Sequence, residues 1–415
     1  MNPEKLLIIC YSFPPAPGIG GRRWAKFANY LHRSGLDIQV LSAQYNGSEK
    51  SEWQKDILAL EKDNRLNYFN PNYPGILQSV PENWIQKFKY HFELRVLKKR
   101  VRGNFYDRSS LCKKSLLTSV EKFVKQGYIN IIISVGPFYY SKYLLEIKKT
   151  HPQVKLFLDV RDPWTNNKTA FGYWNLTKKR FAIEKQAETE VANGYDKIFT
   201  VADEMGDYFI KEYGLNKHKV ITIKNGFDTA DFAHVKLKKS EKNRLLFTGN
   251  LYQKAEKSFL ILVDQLKKLK SENSDFFKHY ECHFYGEIHP SFATYFSPEI
   301  NLFFHGRIPL NEVFIKISES VACLLFLTDD LNFSFSTKFY EYLSQKKPII
   351  VFSLPGPTGI FIETQNLGKQ ANADNLIAIL KEVESESFYQ GELDIAEFDV
   401  KNLTNKLLIE IGFKD

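Results

Sequence analysis

At 415 residues the chain exceeds one ordinary core, and two domains of roughly 200 residues are the default. Its 43% apolar and 25% charged residues are those of a globular protein and exclude a disordered one. The net charge of +9 is modest, and the basic residues follow no phosphate-tracking motif, so nucleic acid is not an expected partner.

The run Leu6–Cys10 is too short for a signal peptide, and no stretch approaches the ~18 apolar residues of a spanning helix. Cys10, Cys112, Cys282 and Cys323 lie far apart without metal-ligand spacing and read as reduced core residues. Together these features predict a cytoplasmic protein, soluble or peripheral to a membrane.

Leu6–Tyr11 reads as a buried strand, followed by a turn carrying Gly18, Gly20 and Gly21, then a helix over Trp24–Arg33 and a strand at Ile38–Leu41. This βαβ unit has its glycine-rich turn at the carboxyl end of the first strand, where open α/β sheets take ligands. The GxGxxG spacing is broken and no acid ends the second strand, which argues against a dinucleotide site. Arg22 or Arg23 is placed to face a cleft.

Between Trp84 and Arg108 eight Lys or Arg face two acids, so this window carries six of the nine net charges. Trp84, Ile85, Phe88, Phe92 and Val96 recur at helical spacing, with Lys87, Lys89, Arg95, Lys98, Lys99 and Arg100 between or after them. That pattern suits a helix in the interface of an anionic membrane. It equally suits a helix that buries Phe88 and Phe92 in its own domain and leaves the lysines in water.

Further apolar strands read at Ile129–Val135, Lys155–Val160, Ile198–Val201 and Val220–Ile223. The second of these ends in Asp159-Val160-Arg161-Asp162, charged groups on the ligand edge of the sheet, with Arg161 paired to Asp159 as an alternative to a ligand contact. A helix carrying Glu184, Glu188 and Glu190 reads as a solvated face. Val235–Asn243 is a polar, Lys-rich linker, after which Arg244–Asn250 restarts the strand-to-glycine pattern. A helix to about Lys270 and strands near Cys282–Tyr285, Ile300–Phe304 and Ala322–Leu327 follow, and Gly286 and Gly306 each close a strand. Phe335–Val351 then reads as loop, short helix and buried strand, with Ser336 or Thr337 capping the helix and Pro348 ending it. Lys338 in the first turn and Glu341 three residues on suit phosphate and sugar hydroxyls at a helix N-terminus. They also suit an ordinary helix pair.

Phe13-Pro14-Pro15 with its glycine-rich turn and Arg23–Leu31, then Asp159–Trp164 (DVRDPW), then Lys224–Asp228 (KNGFD), and finally Ser336–Leu343, together resemble the bacterial family 4 glycosyltransferases of the GT-B fold. The resemblance covers most of the chain and is weakest from about Gln44 to Lys125. It implies two Rossmann-like domains facing a cleft, 1–234 for the acceptor and 244–398 for the donor, with the C-terminal helix of 399–415 crossing back to the first. It further implies transfer of a sugar from a nucleoside diphosphate sugar to an acceptor hydroxyl, with retention of configuration and no metal or other cofactor.

Carried onto this chain, Glu341 would hold ribose hydroxyls, while Lys254 or Lys257, Lys338 and the helix amides after Ser336 and Thr337 would meet the leaving-group charge. Gly249, Asn250 and Arg307 would border the donor, Gly20, Gly21 and Arg23 would line the cleft, and Asp162 would stand towards the transferred sugar or acceptor. A lipid-linked saccharide acceptor would bring the protein to a membrane through Trp84, Lys87, Phe88, Phe92, Lys98, Lys99 and Arg100. Two departures from the family pattern stand out: Phe333 where many members have Glu, and Asn250 where they have Arg. A nucleotide-sugar epimerase and a non-catalytic binding module are the rivals; the KNGFD and KFYEYL windows argue against the first, and the two departures favour the second.

Overall fold

Apolar runs such as Leu6–Cys10, Ile131–Ile133, Ala322–Phe326 and Ile349–Phe352 lie at the centre of their sheets, which is what parallel strands covered on both faces require. The computed structural model describes residues 4–47, 49, 51–77, 81–167, 172–233, 235, 243–328, 335–390 and 393–414, so Phe333 and the interior of the 235–243 linker lie outside the described residues. The first sheet joins β1 (Lys5–Cys10), β2 (Asp37–Ala43), β3 (Leu66–Phe69), β4 (Asn130–Val135), β5 (Lys155–Val160), β6 (Lys197–Thr200) and β7 (Val220–Thr222) in the order β3-β2-β1-β4-β5-β6-β7. The second joins β8 (Asn243–Thr248), β9 (Tyr280–Tyr285), β10 (Leu302–Phe304), β11 (Ala322–Phe326), β12 (Ile349–Phe352) and β13 (Gly368–Ala371) in the order β10-β9-β8-β11-β12-β13. All of the strand pairs are parallel.

The chain divides into two compact units, Met1–Lys224 with Thr404–Asp415, and Asn225–Leu403. The division falls ten residues earlier than the linker composition predicts. Gly226 explains why: a side chain there would meet the carbonyl oxygen of Phe398 at 2.1 Å, so glycine permits a close crossing of two segments. Phe227 N–H donates to Phe398 O (3.1 Å) and Val400 N–H to Phe227 O (2.8 Å), while Asp228 caps the short turn Thr229–Asp231 by accepting from Ala230 N–H. Asn225–Asp228, the greater part of the KNGFD window, is thus a joint within the second unit. At the other end of the chain, Lys406 Nζ donates to Thr222 O (2.9 Å) and Lys197 pairs with Glu410 (2.8 Å), both inside the first unit.

The abundance of Phe has a direct use in the second unit. Phe247, Phe284, Phe326 and Phe352 stand on adjacent strands of one sheet face, with ring centroids 5.0–5.4 Å apart for Phe247–Phe284, Phe247–Phe326 and Phe326–Phe352. The opposite face packs Leu246, Leu325 and Val351 against Phe339, Tyr342 and Leu343 of the Thr337–Ser344 helix. All four cysteines are buried and free.

The helix Lys178–Gly194 overturns one expectation. Glu184 and Glu188 are completely buried, and only Glu190 reaches solvent. The Trp164 indole N–H (3.0 Å) and Asn104 N–H (2.7 Å) donate to Glu184, and the Thr165 hydroxyl donates to Glu188. Burial, reinforced by the nearby Asp107 carboxylate, pushes the Glu184 carboxyl up to about 7. The polar partners come from loops distant in sequence, so the helix alone carries no sign of them.

Candidate functional site

Three loops of the second unit meet at the carboxyl end of its sheet. Gly249 follows β8, Gly286 follows β9, and the Thr337–Ser344 helix begins after β11. They are tied together: Gly249 N–H donates to Tyr285 O (2.8 Å), Gly286 N–H to Gly306 O (2.8 Å), and Thr248 N–H to the Tyr342 hydroxyl (3.0 Å). Gly249 has φ +98°, and a side chain there would strike Lys338 Cε at 2.5 Å. Glycine therefore leaves room for Lys338 to lie over the turn, with its Nζ 5.4 Å from the Phe247 ring.

Lys338 sits in the first turn of its helix, where the dipole is positive and backbone N–H groups lack helical partners. Lost hydration lowers its pKa, against the opposing pull of Glu341. Glu341, one turn further in, is buried. A cation made uncomfortable by its surroundings, next to first-turn amide donors that have no partner within the helix and to a buried carboxylate, is an anion-accepting arrangement.

Ser336 occupies the N-cap position, but neither it nor Thr337 accepts a side-chain cap bond, contrary to the capping read from the sequence. The Ser336 hydroxyl is buried without a partner among the described residues. Asn250 is exposed and donates to the Tyr252 hydroxyl (3.4 Å). Lys254 and Lys257 are exposed, on the Gln253–Ala255 turn and in the first turn of the Glu256–Ser271 helix. Arg307 is exposed and pairs with Glu287 at 3.4 Å. Beside it His305 stacks on Tyr285 (centroids 4.5 Å) and lies 2.8 Å from His283, which also contacts Glu281 at 3.1 Å. Lost hydration lowers the pKa of both imidazoles. The sequence alone does not reveal His283 and Tyr342, whose partners lie 22 and 94 residues away.

In the first unit the charged strand ends are bonded inward. Arg23 pairs with Asp159 (3.1 Å) and donates to Ile223 O and Lys224 O (both 2.8 Å). Trp24 Nε1 and the Ser134 hydroxyl also donate to Asp159. Arg161 donates to the carbonyl oxygens of Gly20, Gly136 and Val135. The arginine paired to Asp159 is therefore Arg23, not Arg161, because the guanidinium of Arg161 turns to the loop after β1. Gly20 contributes its carbonyl to that contact, and Gly21 is buried against Pro14. Asp162 is exposed at the end of β5.

The helix Trp84–Arg100 stands out from the first unit. Asn83 caps it by accepting from Gln86 N–H, and Leu97 is its one fully buried side chain. Trp84 is 77% exposed, Phe88 69% and Phe92 57%, which rules out burial of the two phenylalanines in their own domain. Lys87, Lys98, Lys99 and Arg100 are exposed as well. No described helix is long and apolar enough to cross a membrane.

The pattern of Glycosyltransferase Family 4 matches residues 20–231, just over half of the chain. The chain belongs to that family. No curated protein matches this glycosyltransferase in sequence. Among solved structures, a lipopolysaccharide outer core galactosyltransferase, WaaB, in its apo form aligns over 98% of this chain and 99% of its own, at 14% identity and TM-score 0.58. A glycosyltransferase from Rickettsia africae aligns over 100% and 95% (15% identity, TM-score 0.56), and the N-terminal domain of a Candida albicans trehalose-6-phosphate phosphatase over 98% and 96% (11%, 0.59). At these identities the likeness is one of fold: this glycosyltransferase has the two parallel sheets of the GT-B class.

Proposed function

We propose that this glycosyltransferase takes its sugar from a nucleoside diphosphate sugar and passes it to an acceptor hydroxyl with retention of configuration and without a metal, in building a bacterial surface polysaccharide such as lipopolysaccharide or capsule. The observation that carries the reading is Lys338 held over the Gly249 turn at a helix N-terminus, with Glu341 buried one turn deeper. In this scheme the diphosphate lies on Lys338 and the free amides, Glu341 accepts from ribose hydroxyls, and Lys254 or Lys257 adds charge as the leaving group departs. Asp162, exposed at the end of β5, would serve the transferred sugar or the acceptor. The motif branch suggested by DVRDPW and KNGFD supports retention. A lipid-linked acceptor and a peripheral place on the cytoplasmic face of a membrane complete the reading, supported by the exposed aromatic and basic side chains of the Trp84–Arg100 helix.

Saturation-transfer NMR against nucleotides and nucleotide sugars tests the donor assignment, with signal expected for a nucleoside diphosphate and lost in Lys338→Ala. Silence across the panel would remove the donor site. Turnover should survive EDTA; loss on chelation, restored by Mg²⁺ or Mn²⁺, would defeat the metal-free scheme.

A further inference from the structure

At about 100° per residue, Trp84, Phe88 and Phe92 advance slowly round one side of their helix, and Arg95 and Lys99 continue the same side towards its C-terminal end. That side points away from Leu97, which packs with Val101, Phe105 and Tyr73 in a small cluster of its own. The cluster has a further member from far along the chain, Leu176. The residues on either side of Leu176 repeat the surface chemistry of the helix: Trp174 is 54% exposed, Phe181 38%, and Lys178 and Lys179 are exposed between them.

The two segments are fastened as well as adjacent. Arg180 donates to the carbonyl oxygens of Lys98 (2.5 Å), Val101 (2.6 Å) and Gly103 (2.8 Å), taking up acceptors that the helix end leaves open. Lys98 Nζ and the Arg180 guanidinium both lie over the Phe105 ring, at 5.1 and 5.2 Å. Exposed tryptophan and phenylalanine are costly in water, whereas at a bilayer interface their rings insert at the headgroup level and neighbouring lysines meet anionic lipid. A single helix of this kind binds reversibly; a second aromatic and basic point of contact multiplies its affinity through effective concentration.

We propose that the Trp84–Arg100 helix and the Trp174–Phe181 segment form one bipartite docking surface for an anionic lipid bilayer. The proposal rests on the peripheral-membrane part of the reading above and adds its second contact, which the sequence window around Trp84 does not contain. Full-length protein should pellet with phosphatidylcholine vesicles containing phosphatidylglycerol, stay in solution with pure phosphatidylcholine, and be released by high salt.

Phe88→Ser with Phe92→Ser should lower partitioning at least about tenfold. Trp174→Ser with Phe181→Ser should lower it by about threefold to tenfold. Both should keep the wild-type Tm and nucleotide binding, and Lys178→Glu with Lys179→Glu should repeat the second loss should the serine pair fail to fold. If the Trp174 and Lys178 pairs both partition like wild type while the Phe88 pair does not, the bipartite surface is wrong and the membrane reading stands. If wild type ignores anionic vesicles, both fall. Self-association through these same side chains in place of vesicle binding would make the occupant a second copy and also overturn the proposal.

Discussion

The two sheets present charged residues at the same kind of place, the carboxyl ends of parallel strands, yet treat them in opposite ways. At β5 and its neighbours the donors of Arg23 and Arg161 are consumed by Asp159 and by five carbonyl oxygens of the unit itself. In the second unit Lys338 lies over a glycine turn with no hydrogen-bond acceptor among the described residues, and burial lowers its pKa. A charge at a strand end is thus a clue to a ligand only when the fold has left it unsatisfied. Arg23 is spent on structure, and Lys338 is kept for something else.

The sharpest way to break this contrast is Arg23→Ala. Asp159 is 1% exposed, so removing its cation leaves a buried charge that, among the described residues, Trp24 and Ser134 still hydrogen-bond. The expected loss is about 3 kcal/mol, seen as a lower denaturation midpoint, with nucleotide affinity unchanged. Weakened nucleotide binding without lost stability would give Arg23 back to the ligand.

Glu184 extends the contrast into the interior of the first unit. Its pKa rises from an ordinary 4.5 to about 7 on folding, so the folded state holds the proton more tightly. The corresponding stability is present below pH ~4.5 and is lost as pH rises towards ~7, up to roughly 3 kcal/mol. Glu184→Gln should flatten the profile of denaturation midpoint against pH; an unchanged slope would place the titration elsewhere.

For the second unit, Glu341→Ala should weaken nucleotide-sugar binding at least about tenfold, matching the roughly 1.5–3 kcal/mol of a charged hydrogen bond, while the midpoint stays put. Calorimetry showing wild-type affinity would end the assignment. Lys338 offers the finest test. A bound diphosphate should restore its lowered pKa, so binding takes up a fraction of a proton and affinity falls as pH rises through the free-state pKa. Binding heats independent of the buffer's ionisation enthalpy would show that Lys338 does not meet the phosphate.

Legibility followed burial. The central strands β1, β4, β5, β11 and β12 are continuous apolar runs and stand out in the sequence. Of the four edge strands, β7 and β10 keep a short apolar run and are legible, whereas β3 (Leu-Asn-Tyr-Phe) is mostly unburied with its apolar run broken by Asn67, and β13 (Gly-Lys-Gln-Ala) has almost none, so neither stands out in the sequence. The Lys338 and Glu341 helix was legible because its residues are consecutive. The occupation of Arg23 and the burial of Glu184 and Glu188 were not, because their partners lie tens to hundreds of residues away. The KNGFD window suggests a family in the sequence, whereas its physical meaning, a close approach of Gly226 to the Phe398 carbonyl, appears only in three dimensions.

Arg180 gives the Trp84–Arg100 helix the mechanics of a beam clamped at one end. Its guanidinium grips the last carbonyls, and the buried Leu97 sits one turn inside the clamp. Trp84 and Phe88, in the first two turns, lie about 20 Å and about 14 Å along the helix from Leu97 at 1.5 Å per residue. A small change of angle at the clamp therefore becomes a large sweep at the tip. Arg180 and the Leu97 cluster together set the fixed end of that arm, far from the residues that would touch a surface.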